Sequence, residues 1–184
     1  MNLEFWKKAS PMRRRIITIL LVFVAAVILT VIATLTPMTQ QNAVATNNDI
    51  NQTVNTMKAN DALLQYIYGQ NFMITMLLFV PFIGPVLGFV TFYNTGVALG
   101  AEFRAQVPSV PPPLVFSVEF IDPIFWLEFV SYSIAIAGGI WLSARILQGS
   151  ARHEIRNTAK FISVCAVLLL ISAVIEATLI YASS

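Results

Sequence analysis

The feature that most constrains this chain is a series of long apolar runs, the first of which lies at residues 16–36. About twenty consecutive residues of this run carry no charge and are rich in Ile, Leu and Val. At a rise of about 1.5 Å per residue, a helix of this length crosses a hydrocarbon core of about 30 Å. Only 11% of the residues are charged, whereas a soluble domain carries about 25%. The sequence therefore predicts an all-α, polytopic integral membrane protein that folds as a single membrane domain.

A small-x-small sequence at residues 43–45 raises the alternative that the first run is a cleaved signal peptide. However, the run is longer than the apolar region of a usual signal peptide, and residues 43–45 lie well beyond its end. We therefore expect residues 16–36 to remain in the protein as its first membrane span.

Two further apolar runs lie nearer the C-terminus. Residues 123–147 are apolar apart from Glu128 and the terminal Arg145, and residues 161–181 are apolar apart from Glu176. Each run is long enough to cross a membrane as a helix. Both are therefore predicted to be membrane spans, and each carries a single acidic residue away from its ends.

Basic residues are concentrated in two segments, and this concentration predicts the orientation of the chain. Residues 1–15 contain five Lys and Arg residues, and residues 148–160 together with Arg145 contain four. Because cytoplasmic segments of membrane proteins carry an excess of Lys and Arg, we expect both segments to lie in the cytoplasm. The first span then runs outward, the 123–147 span inward and the 161–181 span outward. The N-terminus is predicted to be cytoplasmic and the C-terminus external in the cell membrane.

The uncharged run at residues 72–101 must then contain an even number of crossings. Two prolines and two glycines interrupt it between residues 81 and 88, and proline breaks the hydrogen-bond ladder of a helix. We therefore predict a Pro/Gly-turned helical hairpin over residues 61–103, which gives about five membrane segments in all. The hairpin is either two full spans, which we favour, or a shallower re-entrant hairpin. A single Pro-kinked helix with an unusual topology is the alternative.

Two segments are predicted to lie outside the membrane on its external side. Residues 37–60 are rich in Asn, Thr and Gln, which is typical of a polar loop, and a short helix is expected near residues 50–58. Asn51 begins an Asn-Gln-Thr sequon for glycosylation, a pattern that also arises by chance, so its modification stays open. Residues 104–122 contain several prolines, which favour an extended linker.

The candidate binding site consists of polar residues inside the predicted spans. Glu128 follows the start of its span by about five residues, and Glu176 precedes the end of its span by about five. Because the two spans run in opposite directions, both carboxylates are predicted at similar depth in the outer half of the membrane. Acidic groups in a membrane are costly and usually face protein or water. On the return leg of the hairpin, Asn94 is predicted at mid-membrane and Arg104 near enough in depth to pair with one carboxylate.

Two interpretations of these polar residues stay open. They form either a proton or cation relay or polar binding site, or a buried network that fixes the helix register. The sequence has no nucleophile constellation, metal-ligand cluster or phosphate loop, so we expect no enzymatic activity, cofactor or metal. A net charge of only +2 gives no support for nucleic-acid binding. The expected partners are membrane lipids and either other membrane proteins or further copies of the chain.

Four short motifs are spaced along residues 68–181. They are Gln70-Asn71, Asn94-Thr95-Gly96 followed by Leu99-Gly100, Pro123 with Glu128, and Glu176 late in the last span. In this order they resemble the stage II sporulation protein M family, a broad group of bacterial and archaeal integral membrane proteins. The third motif of that family is Pro-His-Gly-x-x-Glu, and here Ile124 and Phe125 replace the histidine and the glycine. Any chemistry performed by that histidine in relatives is therefore lost in this chain.

The resemblance implies an all-helical membrane protein with about five spans, and it adds Asn71 to the candidate binding residues. The member that names the family is a membrane scaffold for peptidoglycan-remodelling proteins, and most other members have no settled role. We therefore predict a non-catalytic membrane scaffold or an accessory subunit of a larger membrane complex. The alternative is a transporter or channel component, ion- or proton-coupled or lipid-handling, that uses Glu128, Glu176 and Arg104.

Overall fold

The computed structural model describes residues 10–107, 109–111, 114 and 119–182. Within these residues it contains six α-helices and no strand. They are α1 Pro11–Thr34, α2 Gln40–Ala59, α3 Leu63–Leu78, α4 Ile83–Gln106, α5 Pro123–Leu147 and α6 Ala151–Ala182. By length and composition, α1, α4, α5 and most of α6 are able to cross a membrane, whereas α3 has only 16 residues. The prediction of an all-helical membrane protein is confirmed at this level.

Local capping signals explain where three of the helices begin. Ser10, Thr39 and Asp122 precede α1, α2 and α5, and the side-chain oxygen of each accepts a hydrogen bond from a backbone N–H of the first turn. Such caps satisfy donors that have no partner inside the helix. Pro11 and Pro123 occupy the first position of α1 and α5, where the missing N–H of proline is not needed. α5 consequently covers the same residues as the predicted 123–147 span.

The polar segment at residues 37–60 differs from the loop expected there, because most of it forms the 20-residue helix α2. Its residues contain no Gly or Pro that would end the helix before Ala59. α2 packs along α4 and buries Ala43 completely. Asn51 is exposed on this helix. The short helix expected near residues 50–58 is thus part of a longer one, whose remainder was not expected because the segment is almost uniformly polar.

The basic segment at residues 148–160 also differs from the expected loop, since α6 already begins at Ala151. Only three residues therefore connect α5 to α6. Gly149 lies in the left-handed region with φ of 67°, and Ser150 donates a backbone hydrogen bond of 2.9 Å to the carbonyl of Arg145. A glycine in this conformation is a common way to end a helix. The tight turn sets α5 and α6 side by side, and these two helices pack together closely.

The uncharged run at residues 72–101 is broken into two helices, α3 and α4, by a turn at residues 79–82. Phe82 has φ of 66°, which an aromatic residue adopts only under strain. Its backbone N–H donates to the hydroxyl of Ser143 on α5 at 2.7 Å, and this bond helps to hold the turn. A Cβ atom at Gly84 would lie 2.3 Å from the carbonyl oxygen of Leu78. The start of α4 therefore approaches the end of α3 more closely than a residue other than glycine at position 84 would permit.

α5 is the central helix of the bundle. It packs against α1, α3, α4 and α6, and 56% of its most apolar stretch is buried, compared with 22% for α1 and 28% for both α4 and α6. The core around it is largely aromatic. Phe92 of α4 contacts Phe129 and Tyr132 of α5, with ring centroids 4.8 and 6.0 Å apart. The outer helices thus present broad apolar surfaces, while α5 is enclosed.

A stripe of glycines brings α4 into close contact with α1. These glycines recur at intervals of four residues, with Phe92 at the middle position, and all are buried: Gly84, Gly88, Gly96 and Gly100. A Cβ atom at Gly96 would lie 2.3 Å from the carbonyl oxygen of Thr30, and one at Gly100 would lie 2.7 Å from that of Thr34. Small residues permit such close backbone packing of membrane helices. At Gly96 and Gly100, α1 and α4 touch backbone to backbone, whereas Gly84 and Gly88 lie against α3 and α5.

Candidate functional site

A cleft of about 700 Å³ opens at the end of the bundle where α4 and α6 finish and α5 starts. α2 and α3 form its other walls. Six of the nine Asp and Glu residues of the chain line it, namely Asp49, Glu102, Glu119, Asp122, Glu128 and Glu176. Among the residues that the structure describes, no Lys, Arg or His lines the cleft. Acidic side chains therefore predominate over basic ones in the described lining of the cleft.

Glu128 is held by neutral hydrogen-bond donors from two other helices. The side-chain amide of Asn71 on α3 donates to Oε1 of Glu128 at 2.6 Å, and the hydroxyl of Ser172 on α6 donates to the same oxygen at 3.4 Å. The hydroxyl of Tyr132 donates to Oδ1 of Asn71 at 3.0 Å. Because Ser172 and Tyr132 are buried, this network is shielded from solvent on one side. It joins α3, α5 and α6 at one point.

Glu176 lies in the same cleft as Glu128. It follows Ser172 by one helical turn, so both side chains project from the same face of α6. The two glutamates are near enough for their charges to interact, and both are half-buried. The structure thus brings together three of the candidate residues, Glu128, Glu176 and Asn71.

Arg104 does not pair with either glutamate, which corrects its expected position. Its guanidinium donates to the carbonyl oxygens of Gly100 and Thr34, both at 3.0 Å. Thr34 is the last residue of α1, where carbonyl groups lack partners within the helix and a positive charge is favourable. The close α1–α4 contact brings this helix end within reach of Arg104. The arginine therefore caps α1.

Asn94 also lies outside the cleft. It is exposed on α4, while its neighbour Thr95 lines the cleft. At about 100° of rotation per residue, Asn94 falls on the side of α4 opposite the buried Gly96. The sequence shows that α4 contains polar residues. Which of them face the cleft depends on how α4 packs against its neighbours.

Four of the cleft carboxylates are additions to the residues predicted from sequence. Asp49 lies on α2, Glu102 near the end of α4, and Glu119 and Asp122 just before α5. Burial, and then the charges of Asp122 and Glu102, raise the pKa of Glu119 above its ordinary value of 4.5. The clustering of Glu102, Glu119 and Asp122 around the Pro-rich segment is visible in the sequence, and it is the signal that would have identified them.

A further buried carboxylate, Glu154, lies at the opposite end of the bundle. Oε2 of Glu154 contacts the guanidinium of Arg15 at 2.5 Å and lies 4.0 Å from Nε of Arg145. The Arg15 guanidinium also lies over the rings of Trp141 and Phe161, at 5.3 and 5.8 Å from their centroids. We call these five residues the Glu154 cluster. It ties the start of α1 to α5 and to the first turn of α6, and its signal in the sequence is a lone acid inside a basic segment.

The described residues contain no group of three or more His, Cys, Asp or Glu side chains arranged to hold a metal ion. The cleft carboxylates are spread along its walls. Cys165 is buried and its thiol donates to the backbone carbonyl of Ser131 at 3.4 Å. The chemistry that the cleft supports is thus electrostatic attraction and hydrogen bonding.

Comparison with known proteins identifies the family of the chain. The model of the family described as Stage II sporulation protein M matches residues 17–179. The match extends further toward the N-terminus than the motifs do, since it includes most of α1 and all of α2. Searches of the curated proteins and of the solved structures gave no match. With most of its length matched, including every helix that lines the cleft, the chain belongs to the stage II sporulation protein M family.

Proposed function

We propose that this protein is a non-catalytic scaffold or accessory subunit of a larger membrane complex, and that it holds a partner in the acidic cleft. The observation that carries this proposal is the cleft of about 700 Å³ with six lining carboxylates and, among the described residues, no lining Lys, Arg or His. A cleft lined by charge of one sign concentrates groups of the opposite sign. The occupant best suited to it is a basic segment of a partner protein.

The cleft opens to the outside in the topology that we propose. The positive-inside rule assigns the start of α1 and the α5–α6 connection to the cytoplasm, and the C-terminus to the exterior. α3 and α4 then form a membrane hairpin, which makes five membrane segments. In support, the turn at residues 79–82 lies beside Gly138, Gly139 and Ser143 of α5. These positions precede the end of α5 by roughly 6 to 14 Å at 1.5 Å per residue, and we propose on this basis a re-entrant tip in place of the two full spans favoured from the sequence.

The cleft carboxylates divide by depth into a rim and a deeper pair. The rim consists of Asp49, Glu102, Glu119 and Asp122, which lie on α2 or close to a helix end. Glu128 lies about 8 Å inside the start of α5, and Glu176 about 9 Å inside the end of α6, at 1.5 Å per residue. The rim is accessible to a partner at the membrane surface. We assign partner binding to the rim and a mainly structural role to the hydrogen-bonded deeper pair.

A photo-crosslinking amino acid at Thr53, which lines the cleft, tests the proposal in intact cells. The matched control carries the same probe at Val167, which is exposed on the lipid-facing side of α6. We expect a discrete protein adduct from Thr53 and none from Val167. The adduct should disappear in the rim variant Asp49→Asn, Glu102→Gln, Glu119→Gln. An adduct that persists in this variant, or that forms equally at both probe positions, would contradict the proposal.

A transporter or channel component is the second candidate, and one specific observation favours it. The deep end of the open cleft contains Glu128 and Glu176, with Asn71 as a hydrogen-bond donor. In liposomes, such a component should move protons, cations or lipid, and the double variant Glu128→Gln, Glu176→Gln should lose that flux. A scaffold should retain the Thr53 adduct in the same variant. If the wild-type protein shows no flux of any of these species, the transport function is rejected.

A further inference from the structure

Asn94 exposes a side-chain amide on the surface of a membrane helix, and this amide has no hydrogen-bond partner among the described residues. It lies at the midpoint of α4, Ile83–Gln106, which is one of the candidate spans. At 1.5 Å per residue, it is about 16 Å from either end of that helix. The side chain is exposed, and it has no hydrogen-bond partner among the residues that the structure describes. Polar side chains in membrane spans usually face protein or a water-filled cavity, so this exposure requires an explanation.

The surface around Asn94 is largely apolar, and the hydroxyl of the nearby Thr91 already donates to the backbone carbonyl of Leu87. Ile83, Val86, Leu87 and Val90 are exposed on the same side of α4, opposite the glycine stripe that packs against α1. Lipid chains satisfy the four aliphatic side chains but offer the amide no donor or acceptor. We call these four residues and Asn94 the Asn94 face. Its occupant must therefore supply a polar group at the depth of Asn94.

We propose that a second copy of this chain covers the Asn94 face, and that the two Asn94 side chains hydrogen-bond to each other across a two-fold axis. Two copies inserted in the same orientation place Asn94 at the same depth without any further adjustment. A carboxamide carries both donors and an acceptor, so it is complementary to itself in an isologous pair. Hydrogen bonds of this kind between membrane helices are known to support their association.

The Asn94 face is separate from the acidic cleft. Thr95 and Leu99, which line the cleft, point about 100° and 140° away from Asn94 around the axis of α4. The dimer would therefore leave the cleft open in both copies. This inference stands independently of the proposed function, because it depends on a different face and on a different residue.

Disulfide crosslinking in native membranes tests the dimer while Asn94 is intact. In a Cys165→Ala background, Val90→Cys places a thiol one helical turn from Asn94, and Val167→Cys places a control thiol on the exposed side of α6. Oxidation should yield a dimer of twice the chain mass from Val90→Cys and little from Val167→Cys. Adding Asn94→Leu should lower the Val90→Cys yield by about fivefold or more, whereas Asn94→Gln should largely preserve it.

Four outcomes would overturn the proposal. Equal crosslinking at Val90→Cys and Val167→Cys would indicate random collision, and an unchanged yield with Asn94→Leu would exclude a role for the amide. A Val90→Cys adduct of any mass other than a dimer would identify a different occupant. Single-molecule photobleaching of labelled wild-type protein in vesicles is independent of these variants, and a predominance of single steps would equally exclude the dimer.

Discussion

The two ends of the bundle each contain a buried or half-buried glutamate, but the two are compensated in different ways. Glu154 contacts the guanidinium of Arg15 and has Arg145 nearby. Glu128 has only neutral donors, Asn71 and Ser172, among the described residues. The charge of a buried carboxylate with a cationic partner is offset within the fold. A carboxyl group with neutral partners beside an open cleft keeps hydrogen-bonding capacity for a ligand.

The two glutamates also differ in how far their surroundings enclose them. The side chain of Glu154 is 2% exposed, and its arginine partner is covered by aromatic rings. Glu128 is half-buried at the wall of a cleft of about 700 Å³ that five other carboxylates line. The Glu154 cluster thus joins three helices, while the cleft leaves charge accessible. Substitutions at the two ends should separate a structural role from a binding role.

The largest effect is expected from Arg15→Ala, which would leave Glu154 buried without its closest cation. Breaking one side of a buried ion pair costs about 3 to 5 kcal/mol, and the more distant Arg145 should keep the loss near the lower value. Thermal unfolding in mild detergent should show a large fall in the melting temperature. Arg152→Ala removes an exposed arginine of the same basic segment and serves as the control. Equal melting temperatures for the two variants would refute a structural role for the Glu154 cluster.

Glutamine substitution of the two glutamates compares the ends directly. Glu154→Gln should destabilise the protein by about 2 kcal/mol, since Arg15 loses a charged partner in a buried site. Glu128→Gln should cost less than about 1 kcal/mol, because its amide oxygen still accepts the hydrogen bond from Asn71. The difference in unfolding free energy between the variants is the quantity to measure. A larger cost at Glu128 would reverse the assigned roles.

Removal of the main donor to Glu128 should have an intermediate effect. Asn71→Ala leaves the carboxylate and the Tyr132 hydroxyl without a shared partner, and we expect a loss of about 1 to 2 kcal/mol. Water in the cleft limits the loss, in contrast to the enclosed Glu154 cluster. Gln70→Ala, at an exposed neighbouring position, is the matched control. If Asn71→Ala melts at the wild-type temperature, the network does not fix the packing of α3, α5 and α6.

The smallest effect is a pH dependence that arises at the rim of the cleft. Burial and the charges of Asp122 and Glu102 raise the pKa of Glu119, so the folded protein binds its proton more tightly than the unfolded chain does. Glu119 therefore contributes stability below its ordinary pKa of 4.5, and this contribution is lost as the pH rises through the higher folded value. Melting temperatures measured between pH 4 and 7 should fall less steeply for Glu119→Gln than for wild type. If the melting temperatures of wild type and Glu119→Gln change in parallel with pH, the pKa of Glu119 is not raised by Asp122 and Glu102.

Apolar length and the distribution of charge were sufficient to predict the all-helical membrane fold. In lipid, the backbone N–H and C=O groups of a long uncharged run find hydrogen-bond partners within the run only if it forms a helix. The same features of the sequence also indicated the break near Pro81 and Pro85, where the backbone cannot continue a regular helix. α2 was not predictable in this way, since a uniformly polar helix has little hydrophobic periodicity. The glycines of α4, four residues apart, are visible in the sequence and indicate the close α1–α4 contact.

The candidate site was only partly predictable. Glu128 and Glu176 line the same cleft. This was predictable, because the depths of acidic residues in two antiparallel helices can be compared from their sequence positions alone. The positions of Arg104 and Asn94 depend on how far α4 is rotated and on the unpaired carbonyl at the end of α1. The Arg15–Glu154 pair joins residues 139 positions apart, and no local pattern reports such a contact.

The glycine stripe has a mechanical consequence for the cleft. Where α4 meets α1 at Gly96, the nearest atoms of α1 are the Thr30 backbone and the Cβ of Ala33, so no flexible side chain absorbs a displacement there. The two helices should therefore move as one stiff unit, and α4 gives the cleft one rigid wall. α2 and the start of α3 meet the rest of the bundle through side chains, such as Leu63 and Ile67 of α3, which pack in one cluster with Ala173. Entry of a bulky ligand should thus displace α2 and the start of α3, leaving the α1–α4 pair in place.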